Sequence, residues 1–190
     1  MSKPIKGSQT EKNLMKAFAG ETQAAARYEY YAKIARKEGY IQISNIFSKT
    51  AQQENAHAKR FYRYLDGGEV EIKAGFSAPK LEMTRENLAM AAAGEKDEWT
   101  GTYPEFADMA RHEGFNEIAA VFRLIASVEK VHEERFRKLL ENIEDGTVFK
   151  RKGKVKWECL KCGYIVEGEE PPETCPACLH PKGYFEVVSG

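Results

Sequence analysis

The sequence predicts an all-α four-helix bundle with one long crossover, followed by a small C-terminal module that carries the cysteines. Three observations carry that prediction. Apolar residues recur at helical spacing across most of the first 146 residues, the two halves of that stretch repeat each other, and all four cysteines fall in the last 32 of 190 residues. The chain has 29 basic and 29 acidic residues and a formal net charge of zero. That balance argues against a nucleic-acid binder or a membrane-surface protein, which would show a basic excess or face. With 42% hydrophobic and 31% charged residues, the composition is that of a soluble globular protein. No apolar run approaches the roughly 18 residues of a membrane span, and the first 20 residues lack a signal-peptide core, so a cytoplasmic protein is expected. The expected domains are residues 1–148 for the bundle and 149–190 for the tail.

Taken in order, Ser8 and Glu11 form a capping-box pair, after which Leu14, Phe18, Ala25, Tyr28, Ala32 and Ala35 mark a helix of about 30 residues ending at Gly39. A second helix runs from Ile41 through Phe47, Ala51, Ala58, Phe61 and Leu65 and stops at Gly67-Gly68. From Glu69 to Met83 the helical period is lost, and Gly75, Ser77 and Pro79 indicate an irregular connector. Thr84 reads as the N-cap of a third helix that ends at Gly114. A fourth begins near Phe115 and continues through Phe122, Ile125, Phe136, Leu139 and Ile143 to Gly146.

The repeat joins these helices into two hairpins. At an offset of 74, Asn13, Leu14, Ala19, Gly20 and Glu21 match Asn87, Leu88, Ala93, Gly94 and Glu95. At an offset of 75, Tyr28, Arg36, Glu38, Gly39, Phe47, Ala51, Glu54, His57, Arg60 and Phe61 match Tyr103, Arg111, Glu113, Gly114, Phe122, Ala126, Glu129, His132, Arg135 and Phe136. Short turns close each hairpin, and the connector between them is long enough to cross the bundle.

Each half keeps one Glu on its first helix and Glu-x-x-His on its second: Glu21 with Glu54 and His57, then Glu95 with Glu129 and His132. Glu and His three residues apart share a helical face, and here that face is the apolar one. Glu21 lies 18 residues before Gly39 and Glu54 lies 15 after it, or about 27 and 22 Å along the two axes. The second half gives nearly the same separations, so all six groups should meet at one level. Carboxylates gathered in an apolar interior are very costly unless cations compensate them, and two metal ions would. An oxygen-rich set with two imidazoles suits iron or manganese better than zinc or calcium. The arrangement is similar to that of ferritin-like di-iron carboxylate bundles.

The change of offset places one extra residue between Glu95 and Tyr103, and Glu98 falls there with no repeat counterpart. An inserted helical residue is commonly absorbed as a π-bulge, and Pro104 adds a local backbone constraint, so a distortion is expected between Glu95 and Pro104. Glu98, three residues after Glu95, is expected to face the same site as an additional carboxylate. Tyr28 and Tyr103 lie on the faces of Glu21 and Glu95 and are placed to donate hydrogen bonds to ligating carboxylates.

In the tail, Cys159-x-x-Cys162 and Cys175-x-x-Cys178 are separated by twelve residues. Four thiolates suit tetrahedral iron or zinc, and the spacing alone does not decide between them. A module of about 38 residues needs such a staple to fold. The residues from Trp157 to Tyr164 and from Cys175 to Cys178 resemble the two knuckles of rubredoxin, an iron–tetrathiolate electron carrier. Leu179, followed by His180, stands where rubredoxins usually carry Gly, which is expected to alter hydrogen bonding to the sulfurs and leaves a zinc ribbon as the alternative.

Together, the doubled Glu and Glu-x-x-His motifs, Glu98 and the rubredoxin-like tail resemble the rubrerythrin family over essentially the whole chain. The resemblance implies a ferritin-like fold and a non-haem di-iron peroxidase that reduces hydrogen peroxide to water. It implies electrons from NAD(P)H through a separate reductase, often with free rubredoxin as carrier. It also implies a homodimer in which the tail serves the partner subunit, and the long crossover makes domain exchange conceivable. Carried onto this chain, Glu54 and Glu129 bridge the irons, Glu21 is terminal on one, and Glu95 and His132 are terminal on the other. Glu98 and His57 are then alternative ligands of the first iron. Ferroxidase or iron-storage activity is the alternative function, and an oxygen-activating hydroxylase a third.

Overall fold

In the computed structural model, which describes residues 4–188, the first helix α1 (Gln9–Lys37) begins where the Ser8 and Glu11 pair predicts. Residues 1–3 and 189–190, at the outer edges of the two expected domains, lie outside the described residues. The Ser8 hydroxyl accepts from the Glu11 N–H at 3.0 Å. The Glu11 carboxylate reaches back one residue further than in a standard capping box, to the Gly7 N–H at 2.7 Å. The helix ends in a Schellman pair: Gly39 N–H bonds to Arg36 C=O and Tyr40 N–H to Ala35 C=O. Gly39 sits at φ +86°, and its repeat partner Gly114 ends its own helix in the same way at φ +88°. Only glycine takes that left-handed conformation without steric cost.

Helix α2 (Ile41–Tyr62) stops three residues before Leu65. The apolar period continues through Tyr64 and Leu65 into tight turns, with Tyr64 N–H on Phe61 C=O and Leu65 N–H on Tyr62 C=O, and both side chains still pack on the core. After an irregular crossover come α3 (Thr84–Asp97), a π-helical turn over Glu98–Thr102, and α4 (Tyr103–His112), which together make the third rod of the bundle. The π turn is closed by Tyr103 N–H on Glu98 C=O, a five-residue step, so the inserted residue is absorbed where the repeat offset changes. Helix α5 (Asn116–Glu144) completes the bundle. Among the described residues no helix is long and apolar enough to cross a membrane.

Thr84 is not the N-cap that its residue type predicts. Met83 occupies that position in extended conformation, and the Thr84 N–H is instead accepted by the Glu38 carboxylate at 3.1 and 3.2 Å. The repeat partner Glu113 does the same for α1, accepting from the N–H groups of Gln9 and Thr10 at 3.1 and 2.8 Å and from the Thr10 hydroxyl at 2.6 Å. Each hairpin therefore caps the first helix of the other through the Glu that precedes its turn glycine. A carboxylate there satisfies free N–H groups and opposes the positive end of the helix dipole.

The core falls into two apolar clusters. One holds Tyr28, Tyr31, Phe47, Phe136 and Leu139; the other holds Leu14, Phe61, Tyr103, Phe122 and Ile125. Each pairs one aromatic from each hairpin, Phe47 with Phe136 at 5.1 Å and Phe61 with Phe122 at 5.0 Å between ring centroids. The six Glu and His groups, all but His57 fully buried, come from the helix stretches between these clusters.

In the tail, β1 (Val155–Cys159) is the central strand of a three-stranded antiparallel sheet, flanked by β2 (Ile165–Gly168) and β3 (Phe185–Val187). Trp157, Phe185, Cys159 and Cys175 form its small core. The tail rests on the α1–α2 turn of its own bundle. The Tyr40 and Phe149 rings stack 4° from parallel, and a Cβ at Gly183 would lie 2.1 Å from the Gly39 carbonyl oxygen. Backbone approaches backbone there, and only glycine fits.

Candidate metal centres

Four helices deliver the six residues to one place, as the spacing predicts. Glu21 comes from α1, Glu54 and His57 from α2, Glu95 from α3, and Glu129 and His132 from α5. The four carboxylates and His132 are at most 1% exposed, and the His57 side chain is 14% exposed. They form two overlapping groups, Glu21, Glu54, His57 and Glu129, and Glu54, Glu95, Glu129 and His132, each with its ligand atoms within 4.8 Å of one another. Glu54 and Glu129 belong to both. His57 Nδ1 lies 2.9 Å from Glu129 Oε1 and 3.2 Å from Glu54 Oε2, while His132 Nδ1 lies 2.8 Å from Glu129 Oε2 and 3.0 Å from Glu54 Oε1. Each shared carboxylate thus presents one oxygen to each half-site.

These donors fit metal ions better than they fit one another. Glu21 Oε2, Glu54 Oε1, Glu95 Oε2, both oxygens of Glu129 and His132 Nδ1 are buried without a hydrogen-bond partner, although several lie within hydrogen-bonding distance of each other. Native buried polar atoms are rarely left so, and lone pairs that converge on a point await a cation. The remaining oxygens of the outer glutamates are taken. The Tyr28 hydroxyl donates to Glu95 Oε1 and the Tyr103 hydroxyl to Glu21 Oε1, each tyrosine reaching the glutamate of the opposite hairpin. Burial and the adjacent carboxylates push both phenols well up, so they stay protonated donors.

The electrostatics describe the same congestion. Burial raises Glu21 well above the carboxylate range, with Glu54 and Glu129 adding to the effect. Burial likewise pushes Glu95 up to about 8 against the lowering by His132. Burial would also raise Glu54, but the imidazoles of His132 and His57 hold it at about 2. His132 would be lowered by burial, yet Glu129, Glu54 and Glu95 push it up to about 11. Without metal the site therefore keeps protons that a cation would displace.

In the tail, the Cys159 and Cys178 sulfurs lie 3.7 Å apart, as do those of Cys162 and Cys175. A disulfide would bring sulfurs to about 2.05 Å. Four sulfurs about 2.3 Å from a tetrahedral ion would be about 3.8 Å apart, close to the spacing here. Burial would raise Cys175, but the N–H groups of Ala177 and Cys178 hold it at about 7. Leu179 does not disrupt its knuckle. It adopts φ +61°, and its N–H bonds to Cys175 C=O at 2.9 Å, just as Gly163 N–H bonds to Cys159 C=O at 2.8 Å.

The sequence model of the rubrerythrin family matches residues 12–140, and that of the rubredoxin-like domain of rubrerythrin matches residues 157–186. The chain belongs to the rubrerythrin family. It is 55% identical to the rubrerythrin of Porphyromonas gingivalis over 99% of this chain and 94% of that one. It is 52% identical to the rubrerythrin of Nitratidesulfovibrio vulgaris over 98% and 97%. Fully reduced, all-ferrous nigerythrin superposes with a TM-score of 0.64 at 36% identity, covering 98% of this chain and 90% of that one. A bacterioferritin from Desulfovibrio desulfuricans, 20% identical with a TM-score of 0.66 over 73% of this chain and 82% of that one, shares the bundle fold. As a rubrerythrin-family protein, the chain carries a di-iron centre in the bundle and a rubredoxin-like four-cysteine site in the tail.

Within this rubrerythrin-type site, Glu98 belongs to neither ligand group. It is partly buried, and desolvation raises it well above the carboxylate range, with Glu95, Glu129 and Glu54 close enough to add to the effect. It also lines a cavity of about 330 Å³ with Gly20, Gln23, Arg27, Gly94 and Tyr103, under the crossover residue Phe76. One contributor had no mark in the sequence beyond its position. Gln53 Oε1 sits 3.1 Å from His132 Nε2 and accepts a hydrogen bond from its N–H, leaving Nδ1 for the metal side. Its repeat partner is Val128, and among the described residues His57 Nε2 has no such partner.

Proposed function

We propose that the chain is a peroxidase that reduces hydrogen peroxide to water at the bundle centre, with electrons relayed through the tetrathiolate iron of the tail. The observation that carries this reading is the pairing of two unequal ligands. Among the described residues the polar contacts of His57 are at one ring nitrogen and the ring is partly exposed, and Glu98, an unmatched carboxylate, is partly buried beside the same site. Two irons there would supply the two electrons that one peroxide takes and would polarise its O–O bond. Glu54 and Glu129 would be shared between the two metals, Glu21 would hold the first, and Glu95 and His132 would hold the second. Glu98 and His57 would be alternative ligands of the first, since a neutral imidazole suits a less charged reduced pair and a carboxylate suits an oxidised one. Tyr28 and Tyr103 each occupy one oxygen of an outer glutamate, which would leave the other oxygen for a metal, and they can hold a proton at their hydroxyls.

The tail rests at the Gly39 end, and Glu54 lies 15 residues along α2 from that turn, or about 22 Å. That distance favours a homodimer in which each tail serves the partner subunit's bundle. Free rubredoxin or an NAD(P)H-dependent reductase would then supply the tail. Mixing the reduced protein separately with peroxide and with dioxygen tests the function. Oxidation much faster with peroxide is expected; equal rates with iron mineral uptake would instead indicate a ferroxidase. Glu98→Ala should keep its iron and lose roughly 10–100-fold in peroxide turnover, and an unchanged rate would remove Glu98 from the ligand set.

A further inference from the structure

Several residues depart from the internal repeat on one side of the site only. Glu98 and Trp99 fall where the first half has Gln23, Ala24 and Ala25; Glu133 replaces Ala58, and Arg137 replaces Tyr62. The fold brings these departures together. Trp99 Nε1–H donates to Glu133 Oε2 at 2.5 Å, and Arg137 Nε–H donates to Glu133 Oε1 at 2.5 Å. The Lys130 ammonium lies 5.6 Å from the centre of the Trp99 ring. Glu133 is 6% exposed, although an outer-face glutamate would ordinarily be solvated.

The placement has a direct geometric consequence. Trp99 is the second residue of the π turn and directly follows Glu98, while Glu133 directly follows His132. The bond therefore links the turn that carries Glu98 to the stretch of α5 that carries Glu129 and His132. A π turn is an uncommon backbone conformation, and this one precedes Pro104, which supplies no N–H. An indole has a single N–H, so its bond to one oxygen of a carboxylate that Arg137 already holds restrains the turn's rotation.

We propose that Trp99 and Glu133 are positioning residues whose hydrogen bond holds the π turn in the register that directs Glu98 toward the di-iron centre. This rests on the reading of Glu98 as an alternative ligand. Trp99→Phe keeps an aromatic, though smaller, ring and removes the N–H, and Glu133→Gln keeps an acceptor oxygen for it. In the full-length metal-free protein, amide hydrogen exchange at residues 98–103 should be about tenfold faster in Trp99→Phe, with α1 and α2 unchanged. Unchanged exchange in the turn would overturn the clamp. In the iron-loaded protein, Trp99→Phe should bind iron normally, turn over peroxide about tenfold more slowly, and have no further effect when combined with Glu98→Ala. Additive losses in the double variant would overturn the positioning role. Glu133→Gln should recover most of the rate that Glu133→Ala loses; equal losses would count against the hydrogen bond. Unchanged turnover in Glu98→Ala would remove the ligand reading and with it the positioning role, while faster exchange in Trp99→Phe would still uphold the clamp.

Discussion

Gln53 makes His132 and His57, equivalent by the repeat, unequal in the folded protein. By accepting a hydrogen bond from His132 Nε2–H it fixes that ring's tautomer and orientation, while among the described residues the polar contacts of His57 are all at Nδ1. Leu179 is a second residue whose surroundings overrule its type. It takes a left-handed conformation that costs a branched side chain about 1 kcal/mol, and at 77% exposure it recovers little by burial. Leu179→Gly should therefore stabilise the tail by roughly 0.5–1 kcal/mol without changing its metal content. Thermal denaturation followed in the absorption of the tetrathiolate iron would measure this, and a loss of stability would mean that the leucine makes a contact in the assembled protein.

At the scale of the helices, the doubled hairpin is joined by reciprocal capping. Glu38 and Glu113 each cross to the other hairpin, which couples the start of one helical pair to the turn of its partner. Glu113→Ala would leave the Thr10 N–H and hydroxyl without their acceptor in a site where Thr10 is fully buried. The expected cost is about 2 kcal/mol, with Glu113→Gln milder because it keeps an acceptor oxygen. Urea unfolding of the metal-free protein would show it as a lower midpoint with an unchanged slope. An unaltered midpoint would mean that the N–H groups of α1 are satisfied equally well by water.

For the whole molecule, the buried charge predicts different responses to pH with and without metal. Glu95, up at about 8 in the folded protein from an ordinary 4.5, binds its proton more tightly folded than unfolded. The stability it contributes is full below the unfolded value and is lost as pH rises through the folded one. His132, raised from 6.5 to about 11, acts in the same direction over a higher range. Glu54, held at about 2, has the opposite sign, but its contribution is lost only as pH falls below the carboxylate range. The metal-free protein should therefore lose thermal stability between about pH 6 and about pH 9, whereas metal, which displaces those protons, should remove or reverse the trend. Calorimetry of both forms across that range would test this, and parallel curves would contradict it.

Much of this architecture was already determined along the chain. Helix spacing, the turn glycines Gly39 and Gly114, the offset change that becomes the π turn, the six ligands at matched heights and the two Cys-x-x-Cys knuckles are all periodic or self-similar, so one strand of sequence carries them. The tertiary structure decided what depends on which surfaces meet. Glu38 is 46 residues from the Thr84 N–H it accepts, which is why Thr84 reads as a cap when it is not one. Trp99 is 34 residues from Glu133, and Tyr28 is 67 from Glu95. A hydrogen bond needs its partners within about 3 Å and aligned, and no local pattern reports that for residues on different helices. For the same reason the resting place of the tail is decided by the tertiary structure, where Gly183 lies against the Gly39 carbonyl with no room between them for a side chain.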